Sequence, residues 1–318
     1  MKIEFSIDSC YKRLMPTTPR TLLIVNPVAG HGRGKKIHQR LEARLNTEFP
    51  GLVTRLSEHA GHSIELGRQA AAEGFDRVLC LGGDGTTFEV INGLYAQGRP
   101  AKRPELGLIP AGTGDSFIRD FGTTTPEDAL ANILAGRRHV SDLVEFEFDR
   151  DGRTERMVSL NIIGVGLIAD ILKLTNDKFK PLGSFGYSLA VLLRLAKGMK
   201  NRIVLEIDGE RREIRDSALV VCNSKYTGGK MMIAPKADIA DGKADLVIFR
   251  EVNRREILAI FSKVFSGKHE AHPKVEMIQA ASISIVGEPP LMLMADGELL
   301  GLTPLRLKVL PAELTILA

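Results

Sequence analysis

From Thr21 onward, short and wholly apolar runs alternate with stretches whose apolar residues recur at helical spacing. TLLIVN leads through a Gly-rich loop into KKIHQRLEARLN, where Ile37, Leu41 and Leu45 recur every four residues. This pattern predicts strand, loop, helix. LVTRLS with SIELGRQAAAEG, and DRVLCL with TTFEVINGLYAQG, repeat it, and LGLIP (Leu106 to Pro110) enters a further Gly-rich turn before a helix near Phe117. Alternating strands and helices imply a parallel sheet whose ligand loops lie beyond the carboxyl ends of the strands.

After about Gly136 the texture changes. VEFEFD, RMVSLNIIG, RIVLEID, REIRDSALVVCN, ADLVIF, ISIVG and LRLKVL follow one another with few helical intervals, which predicts a largely β region. Two helices interrupt it, one around Ser184 to Met199 and one around Arg254 to Phe265. The expected division is an α/β domain over 1–137 and a β-rich domain over 138–318. With no Pro-rich linker between them, close packing is expected.

Composition narrows the classes. Lys+Arg 43 against Asp+Glu 39 leaves +4, with 44% hydrophobic and 26% charged residues, which excludes a disordered chain. Cys10, Cys80 and Cys222 are far apart and form no Cys-x-x-Cys, so neither disulfides nor zinc is indicated and a reducing compartment fits. The first residues lack the order of a signal peptide, and the apolar runs Ile162 to Ala169 and Tyr187 to Ala196 are too short or too charged to span a bilayer. A cytoplasmic location is expected. The mild charge, the 5% aromatic content and the absence of Trp argue against a nucleic-acid partner.

Chemistry concentrates in three turns. LGGDGTTFEVINGL (Leu81 to Leu94) brings backbone N–H groups and the positive end of a helix to where a phosphate could sit. Asp84 is out of place among phosphate-binding groups unless a cation, or a water on one, reverses the local charge, so it reads as an indirect metal ligand. An Asp-Gly turn in which Asp84 caps the helix is the plainer alternative. NPVAGHGRGKK (Asn26 to Lys36) and PAGTGDSFIRDFG (Pro110 to Gly122) are two more strand-to-helix turns, and three such turns on one sheet converge on one site.

These strings resemble the diacylglycerol kinase catalytic-domain family, bacterial lipid kinases grouped with sphingoid-base kinases and, more distantly, NAD kinases. The matching motifs are NPVAG (Asn26 to Gly30), GGDGTTFEVINGL (Gly82 to Leu94), PAGTG (Pro110 to Gly114), TGGKMMIAPKADIADGKADL (Thr227 to Leu246) and ADGE (Ala295 to Glu298). The resemblance implies an ATP site between an α/β domain and a β-sandwich domain, with Mg²⁺ and a lipid hydroxyl as acceptor, diacylglycerol above all. It also implies that the last strand, near Leu314 to Leu317, returns to the first domain. Asn26, Gly30, Gly82, Gly83, Asp84, Gly85, Thr86, Thr113 and Arg119 become the expected nucleotide contacts, with Asp84 holding metal through water. Asp296 becomes the expected general base and Glu298 an auxiliary metal-linked carboxylate, although Asp296-Gly297 also reads as a hairpin turn. Asp241 and Asp245 become the expected ligands of a structural Mg²⁺, a turn before ADLVIF being the alternative.

One departure bears on the acceptor. The family usually has Gly-Thr-Gly-Asn-Asp with Arg three residues on, whereas this chain has Gly112-Thr113-Gly114-Asp115-Ser116 and keeps Arg119. Ceramide or a sphingoid base are therefore alternative acceptors, a non-catalytic lipid- or nucleotide-binding protein is another reading, and NAD kinase is less favoured because no Asn is followed by Glu. The stretch Ser184 to Arg202, apolar with Arg194, Lys197, Lys200 and Arg202, could lie on anionic lipid at the inner membrane face or simply cover a core. His59, His62, His269 and His272 read as ordinary surface residues, Cys80 and Cys222 as core, and a homodimer is one open option.

Overall fold

The computed structural model describes residues 19–179, 190, 193–194 and 200–318. β1 (Thr21–Val25), β3 (Arg77–Gly82) and β4 (Glu105–Pro110) are buried along almost their whole length. Strands covered on both faces need consecutive apolar residues, which is why they read as unbroken runs. They pair in parallel in the order β2–β1–β3–β4, with β2 (Val53–Leu56) largely exposed at the outer edge.

Helices cover both faces. α1 (Ala29–Glu48) buries Ile37, Leu41 and Leu45 against Leu23, Val25, Leu79 and Leu81. α2 (His62–Glu73) and α3 (Asp84–Leu94) pack on the opposite face, against Leu22, Ile24, Val78 and Cys80. α4 (Pro126–Leu134) starts where the Thr125 hydroxyl accepts from Asp128 N–H, and it carries Pro126 in its first turn.

The second half is a β-sandwich. One sheet runs β14 (Val275–Ala280), β13 (Ala244–Arg250), β10 (Ser217–Cys222), β7 (Ile162–Val165), β16 (Met292–Ala295). Facing it are β5 (Arg138–Arg150), β6 (Arg153–Ser159), β8 (Arg202–Ile207), β9 (Glu210–Arg215), β15 (Ser282–Glu288) and β17 (Glu298–Leu317). Phe146, Phe148, Leu205, Leu219, Leu246 and Leu307 fill the space between. β17 pairs with β16, β15 and β5 and finally runs parallel to β4, Ile316 opposite Leu106 and Leu317 opposite Gly107. One continuous sheet therefore joins the two halves and holds their facing ends in a fixed relation.

Two elements differ from the sequence pattern. The helix expected near Phe117 is a single 3₁₀ turn, Phe117–Phe121, bounded by the positive φ of Asp115 and by Gly122 in the left-handed region. Leu167–Leu174 forms a helix, α5, inside an apolar stretch that carries no strand-to-helix punctuation except Gly166 at φ 69°. The short helix β13 leads into, α6 (Arg254–Val264), forms as its periodicity predicts, closed at its start by a reciprocal cap between Asn253 and Glu256. The helix expected at Ser184 to Met199 lies almost wholly outside the described residues. His269 departs from the surface reading: it is fully buried, one ring nitrogen 2.9 Å from the Ile233 carbonyl.

Candidate active site

The turns after β1, β3 and β4 meet at the carboxyl edge of the parallel sheet. Asn26 Nδ2 donates to Thr86 Oγ1 at 2.9 Å, and Val28 N–H donates to Asn26 Oδ1, so the first turn is tied to the first turn of α3. Gly30, at φ +56°, passes so close to Ala111 that a Cβ there would stand 2.2 Å from its carbonyl oxygen. Arg33 donates to the Gly112 carbonyl at 3.0 Å and ties the first turn to the third.

Asp84 opens α3 and caps something other than its own helix. Its carboxylate accepts from Ser116 N–H at 2.8 Å and from Phe117 N–H at 3.2 Å, so it satisfies the open N–H groups of the 3₁₀ turn. Burial raises its pKa against the pull of those donors and of Arg119. Asp115 lies behind it, accepting from Gly112 N–H at 2.9 Å, and burial together with the Asp84 charge pushes it up to about 6. Ser116, in the position where the family usually has Asp, accepts from Gly229 N–H at 2.8 Å and joins this turn to the loop between β11 (Tyr226–Thr227) and β12 (Met231–Met232), a separate two-stranded sheet of the second half.

Asp296 comes from the other half. Asp296 and Gly297, both at positive φ, form the two-residue connection between β16 and β17, so the hairpin reading of the dipeptide holds as geometry. The side chain points to the cleft and accepts from Ser159 Oγ at 2.8 Å and from the N–H groups of Leu160, Asn161 and Ile162. Burial, reinforced by Asp84, pushes this carboxyl up to about 7 although those donors pull it down. Glu298, two residues on, reaches the first turn of α3, where a Cβ on Gly85 would lie 3.0 Å from Glu298 Oε1.

Asp84, Asp296 and Glu298, with Asn26, Gly30, Gly83, Gly85, Thr86 and Thr113, line one cleft of about 530 Å³. The expected residues Gly82 and Arg119 do not line it. Gly82 ends β3 beneath Thr86, and Arg119 stands behind the third turn, opposing the charges of Asp84 and Asp115. Asp241 and Asp245 do not line the cleft either. Asp241 accepts from Lys243 N–H and Gln279 Nε2, and burial with the Asp241 charge pushes Asp245 up to about 6. Among the described residues no three His, Cys, Asp or Glu side chains gather as a metal cage.

The far limb of the cleft is apolar. Leu167, Ile168, Ile171 and Leu172 of α5 face Ile260, Phe261 and Val264 of α6, with Met231, Phe249 and Met294 between. The α5 contribution was hidden in the sequence, although Leu167, Ile168, Ile171 and Leu172 do show helical spacing. Asn161 is a second unforeseen lining residue. Its amide oxygen accepts from Ser224 Oγ, which leaves the amide nitrogen to the cleft, and only the polar interruption in SLNII hints at it.

Comparison with known proteins agrees with this architecture. The diacylglycerol kinase catalytic domain matches residues 20–146, and the YegS C-terminal NAD kinase beta sandwich-like domain matches 161–318. The diacylglycerol kinase of Mycobacterium tuberculosis (strain CDC 1551 / Oshkosh) is 28% identical over 297 residues, 92% of this chain and 93% of its own. That of Bacillus subtilis (strain 168) is 26% identical, covering 90% and 91%. A crystal structure from Bacillus anthracis strain Sterne, described provisionally as a diacylglycerol kinase, superposes with a TM-score of 0.77 at 26% identity, over 95% of this chain and 98% of its own. The chain belongs to the diacylglycerol kinase catalytic-domain family and is a lipid kinase.

Proposed function

We propose that this lipid kinase transfers the γ-phosphoryl group of ATP to the hydroxyl of diacylglycerol, giving phosphatidic acid and ADP. The supporting observation is the continuity of one cleft, carboxylates at one end and aliphatic side chains at the other, which suits a substrate with a hydroxyl head and an apolar tail.

The phosphates lie over Gly83 to Thr86, where the N–H groups and dipole of α3 face the cleft, with Asn26 and Thr113 beside them. Mg²⁺ fits the donor chemistry: a hard cation takes carboxylate oxygen and needs only one or two protein ligands when phosphates and water supply the rest. Asp84 would hold it, with Glu298 near. When bound, it neutralises the charge of the phosphates. Asp296 accepts the hydroxyl proton as the alcohol oxygen bonds to the γ-phosphorus and the bond from that phosphorus to the β,γ-bridging oxygen breaks. The carboxyl suits that role, since it is held in one orientation by four donors and titrates near neutrality. Leu167 to Leu172 and the α6 side chains exclude water from the acyl chain. No helix among the described residues is long and apolar enough to cross a membrane, so such a substrate is met at a bilayer surface, in this reading the inner face of the cytoplasmic membrane.

The test is transfer of label from γ-labelled ATP with Mg²⁺ to a panel of diacylglycerol, monoacylglycerol, ceramide, sphingoid base and NAD. Label on diacylglycerol ahead of the rest is expected. Preference for ceramide or a sphingoid base would replace the acceptor while keeping the mechanism, and label on NAD alone would overturn the proposal.

A further inference from the structure

We infer that the outer face of α6 and the turn after it is the surface by which this chain docks on an anionic lipid bilayer. α6 is two-sided. Ile260 and Val264 are buried and line the apolar limb of the cleft, whereas Leu258 is 48% and Phe265 51% exposed on the other side, two turns apart on one stripe. The two sides are joined: the ring of Phe265 packs edge-on against Phe261, centroids 5.6 Å apart, and Phe261 lines the cleft. An apolar path thus leads from the surface to the limb that takes the tail.

The charge around this stripe selects the partner. Arg255, Lys263 and Lys268 are exposed and make no ion pair with a described residue. Two acids close by are engaged elsewhere: Glu256 accepts from Asn253 N–H and pairs with Lys274 at 2.8 Å, and Glu270 pairs with Lys236. An amphipathic helix with aliphatic and aromatic side chains flanked by unopposed cations complements a negatively charged lipid surface, where each cation adds attraction that falls off within a Debye length. A second protein copy would bring the same cations against their like. The inference rests on the lipid-kinase reading only for the direction of travel, since a lipid that leaves the bilayer beside Phe265 enters the cleft beside Phe261.

The experiment is sedimentation of the full chain with vesicles of phosphatidylcholine alone, or of phosphatidylcholine containing phosphatidylglycerol, with neither nucleotide nor diacylglycerol present. Binding only to the anionic vesicles, weakening as salt rises, is expected. Leu258→Ser with Phe265→Ser, and separately Arg255→Glu with Lys263→Glu and Lys268→Glu, should each weaken it at least about tenfold. The charge variant should phosphorylate a water-soluble, short-chain diacylglycerol at the wild-type rate, which shows that it is folded. Equal binding to both vesicles, or unchanged binding by both variants, overturns the inference, as does a dimer that both variants abolish in a chain that binds no vesicle. Vesicle binding without phosphoryl transfer would fault the proposed reaction and leave the docking face standing.

Discussion

Asp84 and Asp296, contributed by different halves of the chain, share one electrostatic field: the charge on Asp84 adds to burial in holding the Asp296 carboxyl up to about 7. The coupling exists because β17, which begins two residues after Asp296, ends paired with the sheet whose β3 leads into Asp84. The site is an electrostatic unit assembled across a domain junction.

Asp296→Asn should lower kcat by about 10²–10⁴-fold while ATP binding, measured by calorimetry, stays intact. It should also cost about 1–3 kcal/mol of stability, because the amide sets an NH₂ among the Ser159, Leu160, Asn161 and Ile162 donors. Undiminished turnover would remove Asp296 from the reaction.

The acid limb of the kcat/KM profile should fall near the Asp296 value of about 7, activity being lost below it because the protonated acid cannot accept a proton. For stability, a carboxyl whose pKa is raised on folding binds its proton more tightly in the folded state. Its contribution is complete below its unfolded value and is lost as pH rises through the folded one. Carbon-13 NMR of the Asp296 carboxyl in Asp84→Asn should show a lower pKa than in the wild type, since the repelling charge has gone. An unmoved pKa would show that the two groups do not interact.

Asp245 gives the same sign of effect away from the cleft. It is buried and pushed up to about 6 by burial and Asp241 against the pull of Gln279. In chelator, Asp245→Asn should raise the melting temperature well above pH 6 and leave it nearly unchanged well below, since only the ionised form is costly there. Destabilisation of the variant above pH 6 on addition of Mg²⁺, relative to wild type with Mg²⁺, would indicate that Asp241 and Asp245 hold a cation.

Ser116→Ala should cost about 1–2 kcal/mol, because Gly229 N–H loses its acceptor where the third turn meets the second half. Denaturant melts measure that cost, and a raised KM for lipid with kcat kept would show that the contact sets the width of the cleft. No change in either would mean that water replaces the hydroxyl.

Ile168→Phe should shorten the apolar limb. KM for long-chain diacylglycerol is expected to rise severalfold, with short-chain turnover spared. Equal effects on both would move the acyl chain elsewhere.

What could be read along the chain was local. The unbroken runs at β1, β3 and β4, the four-residue recurrence of Ile37, Leu41 and Leu45, and the Gly-rich turns at Gly82 to Thr86 and Pro110 to Gly114 follow from burial and backbone sterics that act within a few residues. Asp84 also stood out, since a carboxylate in such a turn is chemically conspicuous. Its actual partners, the N–H groups of Ser116 and Phe117, were not visible, because they depend on where β4 delivers the next turn.

Tertiary structure alone decided the rest. The donors around Asp296, the Ser116 to Gly229 hydrogen bond, the Asn161 side chain in the cleft and the opposition of α5 to α6 all join segments distant in sequence. Periodicity reports which face of an element is apolar and is silent on which other face it meets. That choice is made by the register of β5 and β17, whose pairing carries one sheet through both halves and so sets carboxylates, Gly-rich turns and apolar limb around a single cleft.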